Sequence, residues 1–137
     1  MGYLIDTNVI SELVKSKQNK QVVEWFKTVQ DQDLYLSVLT IGEIRKGIVN
    51  IESSKKKEKI RIWLDQELTL WFGERILPIN IEVADKWGFI QGSSKKTLPA
   101  IDSLIAATAL HFDLILVTRN MKDFDYQGLE VINPFKL

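Results

Sequence analysis

Five positions carry oxygen-donor side chains that could do chemistry if the fold brings them together: Asp6, Glu43, Asp102, Asn120 and Asp123. Asp6 ends the apolar run Tyr3-Leu4-Ile5, Glu43 follows Ile41-Gly42, and Asp102 falls beside Ile101 on the side of a helix that also carries Ile105, Ala106 and Ala109. Asn120 and Asp123 lie in the polar stretch after Leu114-Ile115-Leu116-Val117. The chain has no cysteine and one histidine, His111, so thiolate zinc sites, cysteine nucleophiles and paired-histidine acid–base catalysis are excluded. Chemistry then rests on carboxylates, which favour hard ions such as Mg²⁺ or Mn²⁺. Carboxylates brought together repel unless a cation sits among them. One or two divalent ions there would generate a nucleophile from water and stabilise a phosphodiester transition state, which is nuclease or phosphatase chemistry.

Each position also has a purely structural reading. Asp6 fits a helix N-cap after a strand. Thr40-Ile41-Gly42-Glu43 has the form of a capping box. Asp102 in a first helical turn is favoured by the helix dipole. Asn120 and Asp123 are common turn formers. His111 reads as a structural or surface residue at a helix end, and Lys55-Lys56-Lys57 and Lys95-Lys96 as solvated faces or, alternatively, phosphate contacts.

The elements that must position these residues alternate. Residues 3–5 predict a short buried strand, followed by a helix through Ser11–Val14 capped by Thr7 or Asn8. Val22, Trp25, Phe26 and Val29 predict a second helix. Leu34-Tyr35-Leu36 reads as a strand, and Val38, Ile41, Ile44 and Ile48 as a helix. A cationic stretch, Ser53–Lys59, leads into the clearest amphipathic pattern: Ile60, Trp63, Leu64, Leu68, Trp71 and Phe72, with Gly73 placed for a left-handed cap. Ile76-Leu77-Pro78-Ile79 suggests an edge strand. Val83, Trp87 and Ile90 mark a helix closed by Gly92, and Pro99 opens another. Leu114–Val117 and Glu130–Ile132 complete the strands. The pattern predicts one α/β domain over residues 1–137, with a mainly parallel sheet of four to five strands covered on both faces.

Composition agrees. A hydrophobic share of 45% supports a real core rather than a disordered chain. Lys+Arg and Asp+Glu are both 18, so any attraction to nucleic acid must come from a local patch. No apolar run reaches the roughly 18 residues of a membrane span, and no leader is visible, so a cytoplasmic protein without membrane contact is expected.

Four stretches taken in order resemble the PIN-domain family, and within it toxins of the VapC/FitB type from type II toxin–antitoxin systems. They are Leu4–Ile10, Leu39–Gly47, Ala100–Ala109 and Val117–Asn120, with the ending Val131-Ile132-Asn133-Pro134 also similar. The resemblance implies a PIN-like three-layer α/β/α domain and Mg²⁺-dependent endoribonuclease activity, with Mn²⁺ as an alternative ion. It implies an acidic pocket of Asp6, Glu43 and Asp102, with Asp123 as the fourth ligand and Asn120 as a weaker polar contributor. Thr7 and Thr118 become supporting hydroxyls, and Arg45 and Lys46 contacts to substrate or antitoxin. It further implies a VapB-type antitoxin that covers the pocket, a homodimer, and higher toxin–antitoxin assemblies.

Three other readings are kept in view. A catalytically weak PIN domain would only bind RNA or protein. A receiver-like domain would need paired acids after the first strand and an acceptor Asp after a middle one, where this chain has Ser37. A phosphatase using Asp6 as nucleophile would want a second acid at the position held by Asn8.

Overall fold

The computed structural model describes residues 1–137 and contains five strands, all parallel. In chain order the elements are β1 (Tyr3–Ile5), α1 (Thr7–Ile10), α2 (Lys20–Thr28), β2 (Leu34–Ser37) and α3 (Val38–Val49). They continue with α4 (Ser54–Ile62), α5 (Thr69–Phe72), β3 (Ile76–Leu77), α6 (Ile81–Ser93), α7 (Ala100–His111), β4 (Ile115–Val117) and β5 (Val131–Ile132). The sheet order is β3-β2-β1-β4-β5. The chain therefore works outward from β1 in one direction, then returns to its other side, which makes the carboxyl ends of β1 and β4 the switch point where open parallel sheets bind ligands.

Side-chain alternation along the strands divides the core. Ile5, Leu34, Leu36 and Val117 point to one face, where Val22, Trp25, Ile44, Ile48, Leu64, Leu68 and Phe72 bury them. Leu4 and Leu116 point to the other, against Ile105, Ala106, Ala109 and Phe124. The small alanines let α7 lie close on the sheet, giving the expected α/β/α layering. β3 is an edge strand that stops before Pro78, as that proline requires.

Three local expectations change. Asp6, rather than Thr7 or Asn8, caps α1, and the predicted helix over Ser11–Val14 is a 3₁₀ turn continuing a short α1. The helix carrying Glu43 begins at Val38, as its apolar spacing predicted, which removes the capping-box reading of Thr40–Glu43: Ser37 is the N-cap, accepting from Leu39 N–H at 3.0 Å, and Glu43 lies mid-helix. β2 runs straight into α3 with no loop between them. Gly73 has the positive φ its position demands, +53°, but with ψ −122° it lies outside the left-handed helical basin.

The amphipathic stretch before Gly73 is helical throughout but not uniformly α. Residues Trp63–Leu68 form a π-helical segment between α4 and α5. The sequence contains the reason. Ile60, Leu64, Leu68 and Phe72 repeat in steps of four, and in an α-helix each such step drifts by about 40°. Under-winding the middle of the helix brings Leu64, Leu68 and Phe72 back to one buried face.

Candidate active site

Asp6 leaves β1 at the switch point with its backbone N–H donating to Val117 O at 2.8 Å. Its side chain is held at both oxygens. Thr7 N–H donates to Oδ1 at 2.9 Å, and Thr118 Oγ1, at the end of β4, donates to Oδ2 at 2.8 Å. Asn8 reinforces the junction: its Nδ2 lies 3.4 Å from Thr118 Oγ1 and its Oδ1 accepts from Arg119 N–H at 3.2 Å. Capping and site geometry thus use the same carboxylate.

Glu43 arrives from α3. Although exposed, it accepts a hydrogen bond from Thr7 Oγ1 at 2.6 Å, and that hydroxyl lies 3.3 Å from the buried Thr40. Asp102 occupies the first turn of α7, half-buried. That turn is fixed by Ser103, fully buried, which accepts from Trp87 Nε1 at 2.9 Å and Gln91 Nε2 at 3.1 Å on α6 and donates to Pro99 O at 2.6 Å. Asp123 sits exposed in the 3₁₀ turn Met121–Phe124, anchored by buried Phe124.

The four acids share one electrostatic field. Burial is the main cause pushing the Asp6 carboxyl above the usual range; the bonds from Thr118 and Thr7 oppose this, and the charges of Glu43 and Asp102 add to it. Asp102 is raised by burial first, then by Asp123 and Glu43. No cation contributes to either group. Both therefore pay for ionisation at neutral pH, which is the condition a bound cation relieves.

The carboxylates do not close into a ready-made three-ligand cage. Mg²⁺ does not need one, since it keeps several waters and is held through one or two carboxylates. The donor set is all oxygen and fits that ion. Asp6, Glu43, Asp102 and Asp123 are the carboxylates that could hold such an ion.

Of the remaining expected residues, Thr7 and Thr118 lie inside the site. Asn120 reaches it through its backbone, donating N–H to Thr118 Oγ1 at 3.2 Å, while its side chain makes no protein hydrogen bond. Arg45 is not turned to the acids: its guanidinium pairs with Asp65 in the π-helical segment. Lys46 is exposed on α3 without an ion pair. Sequence reasoning missed Tyr126. Its hydroxyl is pushed up by burial and then by Asp102 and Asp123, and it lines a cleft of about 980 Å³ with both.

The family model described as PIN domain matches residues 3–126. The chain belongs to the PIN-domain family. This PIN domain is 36% identical over 135 residues to Toxin FitB of Neisseria gonorrhoeae, covering 96% of this chain and 97% of that protein. It is 30% identical over 136 residues to VapC ribonuclease Y4jK of Sinorhizobium fredii, covering 97% of each. Among solved structures it is similar to that of FitAcB from Neisseria gonorrhoeae, with TM-score 0.91, 36% identity and coverage of 98% of this chain and 99% of that one. The PIN fold is therefore as the four motifs implied.

Proposed function

We propose that this PIN domain is the toxin of a type II toxin–antitoxin pair and a Mg²⁺-dependent endoribonuclease acting through Asp6, Glu43, Asp102 and Asp123. The observation that carries it is the construction around Asp6: a half-buried carboxylate at the switch point, clamped by Thr7 and Thr118, and facing other acids with no compensating cation. A helix cap by itself gains nothing from further acids in its field. The names ribonuclease and toxin borne by relatives that match nearly the whole chain support the same reading.

When bound, Mg²⁺ supplies charge neutralisation at the scissile phosphate and a lowered pKa for water. The protein supplies position. Thr118 and the α1 N-terminus fix both oxygens of Asp6, and Thr7 fixes Glu43 beside it. Asp102 is set by the rigid α6–α7 contact. In-line attack by water on phosphorus breaks the P–O3′ bond, leaving a 3′-hydroxyl and a 5′-phosphate. The protein works in the cytoplasm, silenced by a VapB-type antitoxin, and pairs with a second copy of itself; no helix is long and apolar enough to cross a membrane.

The test is cleavage of end-labelled RNA by the purified chain. Cutting with Mg²⁺ or Mn²⁺, none in EDTA, and 5′-phosphate products are expected. Cleavage that persists in EDTA, or cyclic phosphate products, would overturn the metal-dependent assignment.

A further inference from the structure

A groove of about 1090 Å³ runs away from the acids between the Ser11–Lys17 segment, α3 and α4. Thr7 and Glu43 line its near end, so it opens directly into the site. Its floor is aliphatic and ends on the half-buried ring of Trp63; its rim carries Lys15, Lys17, Lys55, Lys56 and Lys59. Glu43 is the one acid along it. Lys15 is paired with Glu12 at 3.0 Å, and the other four lysines have no ion-pair partner.

The lysines on α4 are not there for the helix. Lys55, Lys56 and Lys57 occupy its first turn, which contains no acid. The helix dipole disfavours cations at that end, so their placement costs α4 stability and answers something outside it. A chain with zero formal net charge attracts a polyanion only through such a local patch. A cationic rim beside an aromatic ring is what single-stranded nucleic acid requires, phosphates on the lysines and a base on the ring.

We propose that this groove holds the RNA strand on one flank of the scissile phosphate, with Lys17, Lys55, Lys56 and Lys59 on backbone phosphates and Trp63 against a base. The proposal rests on the RNA-cleaving reading above but makes a separate claim, about binding. These lysines act on substrate position and not on the reacting atoms.

The test compares the wild type with the triple variant Lys55→Gln, Lys56→Gln, Lys59→Gln, whose sites are all exposed. Binding of a labelled single-stranded 12-nucleotide RNA is measured in EDTA across a salt series, and cleavage is measured with Mg²⁺. At about 0.7 counterions per contact, three lost contacts lower the salt slope by about 2 and weaken binding about a hundredfold at 0.1 M salt. KM should rise by a similar factor with kcat unchanged. A wild type that cuts RNA, with a variant that keeps its KM and salt slope, overturns the groove and leaves the nuclease standing. A wild type that binds RNA through these lysines but never cuts it supports the groove and removes the nuclease. Unchanged RNA affinity alongside lost affinity for an acidic, leucine-bearing 20-residue peptide assigns the groove to a protein partner and overturns the proposal.

Discussion

Thr118→Val is the sharpest test of how Asp6 is held. Valine keeps the β-branched shape at the end of β4, where Thr118 is fully buried, and removes only the hydroxyl. The main loss is the 2.8 Å bond to Asp6 Oδ2. A hydrogen bond to a charged group contributes about 1.5–3 kcal/mol. The contacts from Asn120 N–H at 3.2 Å and Asn8 Nδ2 at 3.4 Å are longer, and exposed Asn120 turns to water, so they add little. The expected cost at pH 7.5 is about 2–3 kcal/mol, a fall in Tm of roughly 6–12 °C for a domain of this length. The sign with pH follows from Asp6. Its folded pKa is raised, chiefly by burial, and the Thr118 bond favours the charged form. Deleting that bond raises the folded pKa further. The destabilisation is therefore full above this pKa and shrinks as pH falls through it, where a neutral carboxyl receives a weaker bond. Thermal unfolding of both proteins from pH 7.5 to pH 4 reads this directly. An equal loss of Tm across that range would refute a bond to a charged Asp6.

Other expectations are simpler. Mg²⁺ at about 100 times its Kd should stabilise the wild type by about 2.7 kcal/mol, and Asp102→Asn should lose most of that rise while melting no lower than wild type in EDTA. A metal response that survives Asp102→Asn would remove this residue from the metal set. Arg75→Ala removes bonds to the carbonyls of Asp31, Leu34 and Trp71, which tie β2 to the turn before β3. It should cost about 2–3 kcal/mol in chemical denaturation and leave Mg²⁺-dependent cleavage intact, because Arg75 lies on the far side of the sheet order from β4. A stability unchanged within about 0.5 kcal/mol would show those bonds to be worth nothing.

The parallel sheet and Asp6 at its switch point were legible because buried strands read as apolar runs, and the residue ending such a run is marked by position alone. Asp102 was legible as an acid on the packing side of a helix. Glu43 was legible as an acid among apolar neighbours; its capping-box spacing with Thr40 was a local coincidence, since the chain is already helical at Val38 with Ser37 as its cap. The π-helical turn hid inside an amphipathic pattern, although the unbroken four-residue steps from Ile60 to Phe72 carried it. Arg45 looked free because Asp65 is twenty residues away in sequence and meets it only across packed helices. Tyr126 and Asn8 acquire their roles from tertiary contact, which no local pattern encodes.

The central claim is that Asp6 is the anchor of a metal-dependent RNA-cleaving site. Asp6→Asn keeps the shape; its Oδ1 can still accept from Thr7 N–H and its Nδ2 can donate to Thr118 Oγ1, so the fold should survive. The deciding measurement is single-turnover cleavage of labelled RNA by wild type and Asp6→Asn with Mg²⁺ present, with unfolding curves run alongside. A folded variant is expected whose cleavage rate falls by at least about a thousandfold, on the scale of losing a principal electrostatic group. A folded Asp6→Asn protein that cuts RNA at the wild-type rate would contradict it.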